Sequence, residues 1–139
     1  MSAFTSSPRF LSRVMWADAV SCAGTGALQL AFTAAMARIT GLPADLLLGT
    51  GVFLLVYAAA AAWMAARPVP PRTLIGLVVV GNFGWAAGCV ALLASEAVAV
   101  TMPGAAWVAV QALTVVVLAE LQWLGLRRAR PATGVAVAN

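Results

Sequence analysis

An all-α membrane protein, an antiparallel bundle of four transmembrane helices, is the fold this sequence predicts, and three observations predict it. Four apolar runs, residues 14–36, 46–66, 74–94 and 104–126, fill most of the 139-residue chain. At about 1.5 Å rise per residue, a run of roughly 20 residues matches a hydrocarbon core about 30 Å thick. Charged residues make up 9% of the chain against 63% hydrophobic, and the mean hydropathy is +1.00; a soluble domain carries roughly 25% charge. Finally, the arginines gather on one side of the runs. Outside the runs only short connections and a tail (residues 127–139) are left, so the chain is one membrane domain, residues 1–139.

The first run follows Arg9 and Arg13, which belong among lipid headgroups. Ser7-Pro8 reads as its helix start, with Ser capping and Pro at the first helical position. Ala35-Met36-Ala37 has the look of a signal cleavage site, but the apolar stretch before it is long and carries Asp18, so a retained span is expected. Gly41-Leu42-Pro43-Ala44-Asp45 makes the first turn. The second run ends at Ala66-Arg67-Pro68-Val69-Pro70-Pro71-Arg72, where three prolines forbid helix continuation. Ser95 to Pro103 links the third run to the fourth. Links this short make consecutive helices antiparallel neighbours.

All eight basic residues are Arg, and Arg9, Arg13, Arg67, Arg72, Arg127, Arg128 and Arg130 fall on one side; only Arg38 lies on the other. The positive-inside rule then expects both termini in the cytoplasm. The net charge of +4 thus reflects orientation, not nucleic-acid binding. Absence of Lys with heavy use of Ala, Gly, Arg and Pro suggests a GC-rich bacterial gene and hence a bacterial inner membrane. Trp16, Trp63 and Trp123 near the cytoplasmic ends and Trp107 near the outer end read as an aromatic belt. Trp85 falls near mid-span, where its indole N–H needs an internal partner or a bound molecule.

The two halves echo one another. At an offset of 64, Asp18, Ala23, Gly24 and Leu28 match Asn82, Ala87, Gly88 and Leu92; at 60, Pro43, Trp63 and Arg67 match Pro103, Trp123 and Arg127. A true repeat would be two parallel hairpins related by an axis along the membrane normal; chance matching in so biased a composition is the alternative.

No catalytic or metal motif stands out. The chain has no His, and Cys22 and Cys89 differ in depth by on the order of 15 Å, too far for a disulfide, so zinc, haem and disulfide chemistry are not expected, and no cofactor is. Polar residues within the runs are the candidates. Asp18, Cys22, Thr25, Gln29 and Thr33 share one stripe of the first helix, which should face the bundle interior or another subunit. Asp18 and Glu120 are the only acids within the runs, and an intramembrane acid either pairs, here with Arg13, Arg67 or Arg127, or binds a proton or cation. Asn82, Trp85 and Cys89 share a face of the third helix, and Gln111, Thr114 and Gln122 one of the fourth, their amides able to join helices or hold a ligand. Asp18, Glu120, Asn82, Gln29 and Gln111 are therefore candidates for a proton, cation or polar-network site, and Trp85, Thr25 and Tyr57 for facing a ligand. Gly84-x-x-x-Gly88 permits a close helix approach.

Three segments carry a resemblance: Arg13-Val14-Met15-Trp16-Ala17-Asp18-Ala19, the Gly41-Leu42-Pro43 turn, and Glu120-Leu121-Gln122 followed by Gly125-Leu126-Arg127-Arg128. They resemble those of a group of small uncharacterised four-span bacterial membrane proteins, over nearly the whole chain, which implies topology and no activity. The gross layout is also similar to small multidrug transporters, whose essential first-span acid would correspond to Asp18.

Three functions follow as expectations. The first is a non-enzymatic accessory or assembly subunit packed against other membrane helices, with lipids and other subunits or a second copy as partners. The second is a proton- or cation-coupled carrier, homodimeric, using Asp18. The third is lipid or quinone binding beside Trp85.

Overall fold

A computed structural model of the protein describes residues 9–128, which form five α-helices: α1 (Phe10–Ala31), α2 (Thr33–Thr40), α3 (Ala44–Ala65), α4 (Arg72–Ala94) and α5 (Met102–Arg128). The helix start read at Ser7-Pro8 and the tail from residue 129 onward lie outside the described residues. The helices α3, α4 and α5 are each long and apolar enough to cross a membrane, and α1 with α2 qualifies only as a pair. The regular structure among the described residues is therefore all helical, with three such helices, or four spans if the pair counts as one.

That pair corrects the first run. The span expected over residues 14–36 stops at Ala31, and α2 leaves α1 at 93°. Phe32 carries the break, with φ −124° and ψ 28°, and the Thr33 hydroxyl donates back to the carbonyls of Gln29 at 2.6 Å and Leu30 at 3.2 Å. A Thr hydroxyl that bonds the preceding turn bends helices. What makes the turn worthwhile is packing: Met36 on α2 is buried against Leu42, Leu47 and Val108.

Two backbone features hold α2 in place. Gly41 terminates it in the left-handed region, at φ 73°, a conformation that glycine adopts without steric cost. Beyond it, the Thr101 backbone N–H donates to the Thr40 carbonyl at 3.0 Å and the Thr101 hydroxyl to the Ile39 carbonyl at 2.6 Å. Gly104, in the first turn of α5, lies so close to the Thr40 carbonyl oxygen that a Cβ there would collide with it.

The helices pack as two hairpins, α1 on α3 and α4 on α5, joined through α1 and α5. In the first hairpin the backbones meet at Gly26 and Gly51, where a Cβ on Gly26 would stand 2.8 Å from the Gly51 carbonyl oxygen. Gly84 and Gly88 do the opposite: a Cβ on either would meet nothing within 4 Å, so this motif faces open space and not a helix of the same chain. At the arginine-bearing end all four long helices close around Leu11, Met15, Ala61, Ile75 and Ala119. There the Ser12 hydroxyl donates to the Ala65 carbonyl at 2.6 Å, and the Arg72 guanidinium donates to the carbonyl of Leu126 near the end of α5. Toward the other end the hairpins separate enough to leave cavities between them.

Candidate functional site

The centre of the bundle is a buried acid. Asp18, on α1, is completely enclosed, and its partners come from its own helix and from each of the other three long helices. Its Oδ2 accepts hydrogen bonds from the Tyr57 hydroxyl on α3 at 2.6 Å, from Asn82 Nδ2 on α4 at 3.2 Å and from Gln122 Nε2 on α5 at 2.7 Å. Its Oδ1 accepts a weaker bond from the Cys22 thiol at 3.5 Å. The Asn82 amide also donates to Gln122 Oε1 at 3.2 Å, and Gln122 Nε2 approaches the Met15 sulfur at 3.5 Å. A carboxyl oxygen accepts and all four facing groups donate, so both oxygens of the acid have neutral hydrogen-bond partners.

Helical spacing places these residues at one level. Asp18 is eight residues from the start of α1, Tyr57 eight before the end of α3, Asn82 ten from the start of α4 and Gln122 six before the end of α5. At about 1.5 Å per residue, each lies some 9 to 15 Å from the arginine-bearing end. The pairing of Asp18 with Arg13, Arg67 or Arg127 is corrected accordingly: among the described residues the acid is held by neutral donors. Arg67 lies over the Trp63 ring at 4.1 Å instead.

The other candidates divide. Gln29 is buried on α1, and its Oε1 accepts from the Thr50 hydroxyl at 3.1 Å, well along α1 from the acid. Gln29 and Gln111 both line a cavity of about 470 Å³ bounded also by Trp85, Gly84, Gly88 and Trp107. Thr25 lines an adjoining one of about 400 Å³, in which Trp85, Trp107 and Gln111 also take part. Trp85 stacks on Phe53 of α3 with ring centroids 5.7 Å apart and planes at 9°, and Phe53 continues to Tyr57 at 6.4 Å. Glu120 is not brought to the site: it is exposed on the outer face of α5.

Two participants escape a reading by spacing. Gln122 belongs to the polar stripe of its helix, yet nothing in a single helix shows that it, and not Glu120 two residues earlier, meets Asp18. Trp107, read above as a belt residue, is turned inward, and its Nε1 is a buried donor with no hydrogen-bond partner among the described residues. No group of three or more Cys, Asp or Glu side chains suited to a metal occurs among the described residues.

Comparison of the chain with protein-family models, with curated proteins and with solved structures gives no match.

Proposed function

We propose that this chain is a small multi-span protein of the bacterial inner membrane with no catalytic chemistry of its own, an accessory or assembly subunit that packs against other membrane helices. The observation that carries the reading is the division of labour between the two acids. Asp18 is saturated inside and holds the hairpins together, while Glu120 stands exposed among the apolar Leu113, Val117 and Leu124 of α5. An acid on a lipid-facing surface is costly unless it meets a donor, and a neighbouring helix supplies one. Only 28% of the most apolar stretch of α3, α4 or α5 is buried within the protein, which leaves broad faces for neighbours. The arginine distribution supports cytoplasmic termini.

The test is the size of the particle in native membranes extracted with mild detergent. Wild-type protein is expected in an assembly larger than one copy, and Glu120→Leu is expected to release it as a monomer with unchanged thermal stability. A monomeric wild type would overturn the reading.

A second reading, a proton- or cation-coupled carrier, is supported by one observation. Cys22, Tyr57 and Asn82, which all bond Asp18, also line a cavity of about 290 Å³, one side chain away from the acid. In that case Asp18→Asn abolishes proton-coupled uptake in vesicles while the protein stays folded, whereas a subunit held together by Asp18 loses stability first.

A further inference from the structure

The larger cavity is lined by polar groups that the protein itself leaves unused. Trp107 Nε1 is a buried N–H with no acceptor among the described residues, and a buried donor without a partner is destabilising. One helical turn on, Gln111 lines the same cavity, and no hydrogen bond of its side chain occurs among the described residues. Across the cavity, Gln29 uses its Oε1 on Thr50, and its amide nitrogen has no partner among the described residues. Three side chains with unmet N–H groups thus border one space. Among the described residues no charged side chain lines that space, which suits a neutral occupant. Apart from Thr50 its walls are otherwise apolar and aromatic, with one side floored by the backbone at Gly84 and Gly88, where even a Cβ would meet nothing. At about 470 Å³ it falls within the range of small-molecule sites, which combine an apolar body with a few convergent polar groups.

We infer that this cavity binds an uncharged, membrane-dissolved molecule that presents a carbonyl oxygen to the Trp107 N–H and lays its apolar body over Gly84 and Gly88 beside Trp85. A free ring carbonyl compound and the ester carbonyl of a neutral lipid share this chemistry. The inference stands apart from the assembly role, because Asp18, Tyr57, Asn82 and Gln122 do not line the cavity and its variants leave them intact.

The experiment uses the full chain in phosphatidylcholine nanodiscs, with Trp16, Trp63 and Trp123 replaced by Phe so that Trp85 and Trp107 report. One arm titrates 1,4-naphthoquinone and the other a diacylglycerol brominated in its acyl chains, both quenchers of indole fluorescence. Saturable quenching in one arm supports the site and identifies the source as ring carbonyl or lipid ester. With Trp85 as the remaining reporter, Trp107→Phe is expected to weaken binding about tenfold, the size of one lost hydrogen bond. Gly88→Leu, which fills the space, is expected to remove saturable quenching, and Gln111→Leu, which keeps bulk and loses the amide, to weaken it several-fold. The inference is overturned by quenching that only rises linearly with added probe in both arms, by full binding in Gly88→Leu, or by naphthalene displacing the naphthoquinone as well as the quinone displaces itself.

Discussion

Gln122 Nε2 lies 2.7 Å from Asp18 Oδ2 across 104 positions of sequence, joining the first long helix to the last. Asn82 bonds both members of this pair and Tyr57 closes it from α3, so one oxygen atom collects donors from α3, α4 and α5. In an environment that offers no water to an unpaired group, such a junction selects one arrangement of the hairpins, because each alternative leaves several polar atoms unmet. Apolar contacts between helices in lipid discriminate far less, since lipid tails solvate Leu and Val as well as a neighbouring helix does.

The first prediction removes the acceptor. Asp18→Ala leaves the Tyr57 hydroxyl and the amides of Asn82 and Gln122 without their common partner, and a loss of about 2 to 3 kcal/mol is expected from reversible unfolding in mixed detergent. Asp18→Asn retains an acceptor oxygen but turns an N–H₂ toward a donor, so about half that loss is expected. A stability equal to wild type in the Ala variant would show that the junction contributes nothing to the fold.

Coupling within the junction is the second prediction. Tyr57→Phe and Gln122→Leu each delete one donor to Asp18 Oδ2, at a cost of about 1 kcal/mol. Both act through the same oxygen, so the double variant should depart from the sum of the singles by about 0.5 kcal/mol or more, the behaviour of residues in one network. Strict additivity in the cycle would mean that the two donors do not share the acceptor.

How much of this was readable in advance depends on range. The positions of α3, α4 and α5 were, because three apolar runs and the prolines at 68, 70 and 71 are local signals. The inward stripe was legible in part: Asp18, Cys22 and Gln29 are buried, Thr25 is half-buried, and Thr33, read on the same helix, belongs to α2 beyond the break. The break at Phe32 was not, because apolar composition continues through it and the deciding contacts, Met36 with Leu42 and Val108, are tertiary. Choosing Gln122 over Glu120 as the partner of Asp18 required the rotation of α5 about its axis, and the inward turn of Trp107 required the same. Asp18 and Asn82, the pair related by the offset of 64, do meet, at 3.2 Å, although matching alone did not imply contact.

Orientation yields the third prediction. With Cys22 and Cys89 replaced by Ser, single cysteines at Arg67 and at Glu96 should react oppositely with a membrane-impermeant maleimide applied to intact cells whose outer membrane has been permeabilised. Arg67→Cys lies in the connection flanked by arginines and should be protected until the inner membrane is broken. Glu96→Cys lies in the connection at the other end and should label at once. The reverse pattern would place the arginines outside.

The fourth prediction separates glycines that sequence alone treats alike. Gly26 faces the Gly51 carbonyl oxygen, with a projected Cβ contact of 2.8 Å to backbone and 3.2 Å to the Leu54 Cβ and the Leu55 Cγ, so the two helices must move apart to admit a methyl group. Gly26→Ala should therefore cost about 1 to 3 kcal/mol, as overpacking does. Gly84→Ala meets open space within a helix and should be neutral or stabilising by about 0.5 to 1 kcal/mol, since Ala loses less backbone freedom than Gly. Gly84 belongs to the Gly-x-x-x-Gly motif that reads as a packing face, whereas Gly26 does not. Unfolding midpoints of the two variants thus test whether the tight crossing lies between α1 and α3, and a destabilised Gly84→Ala beside an unaffected Gly26→Ala would put it on α4 instead.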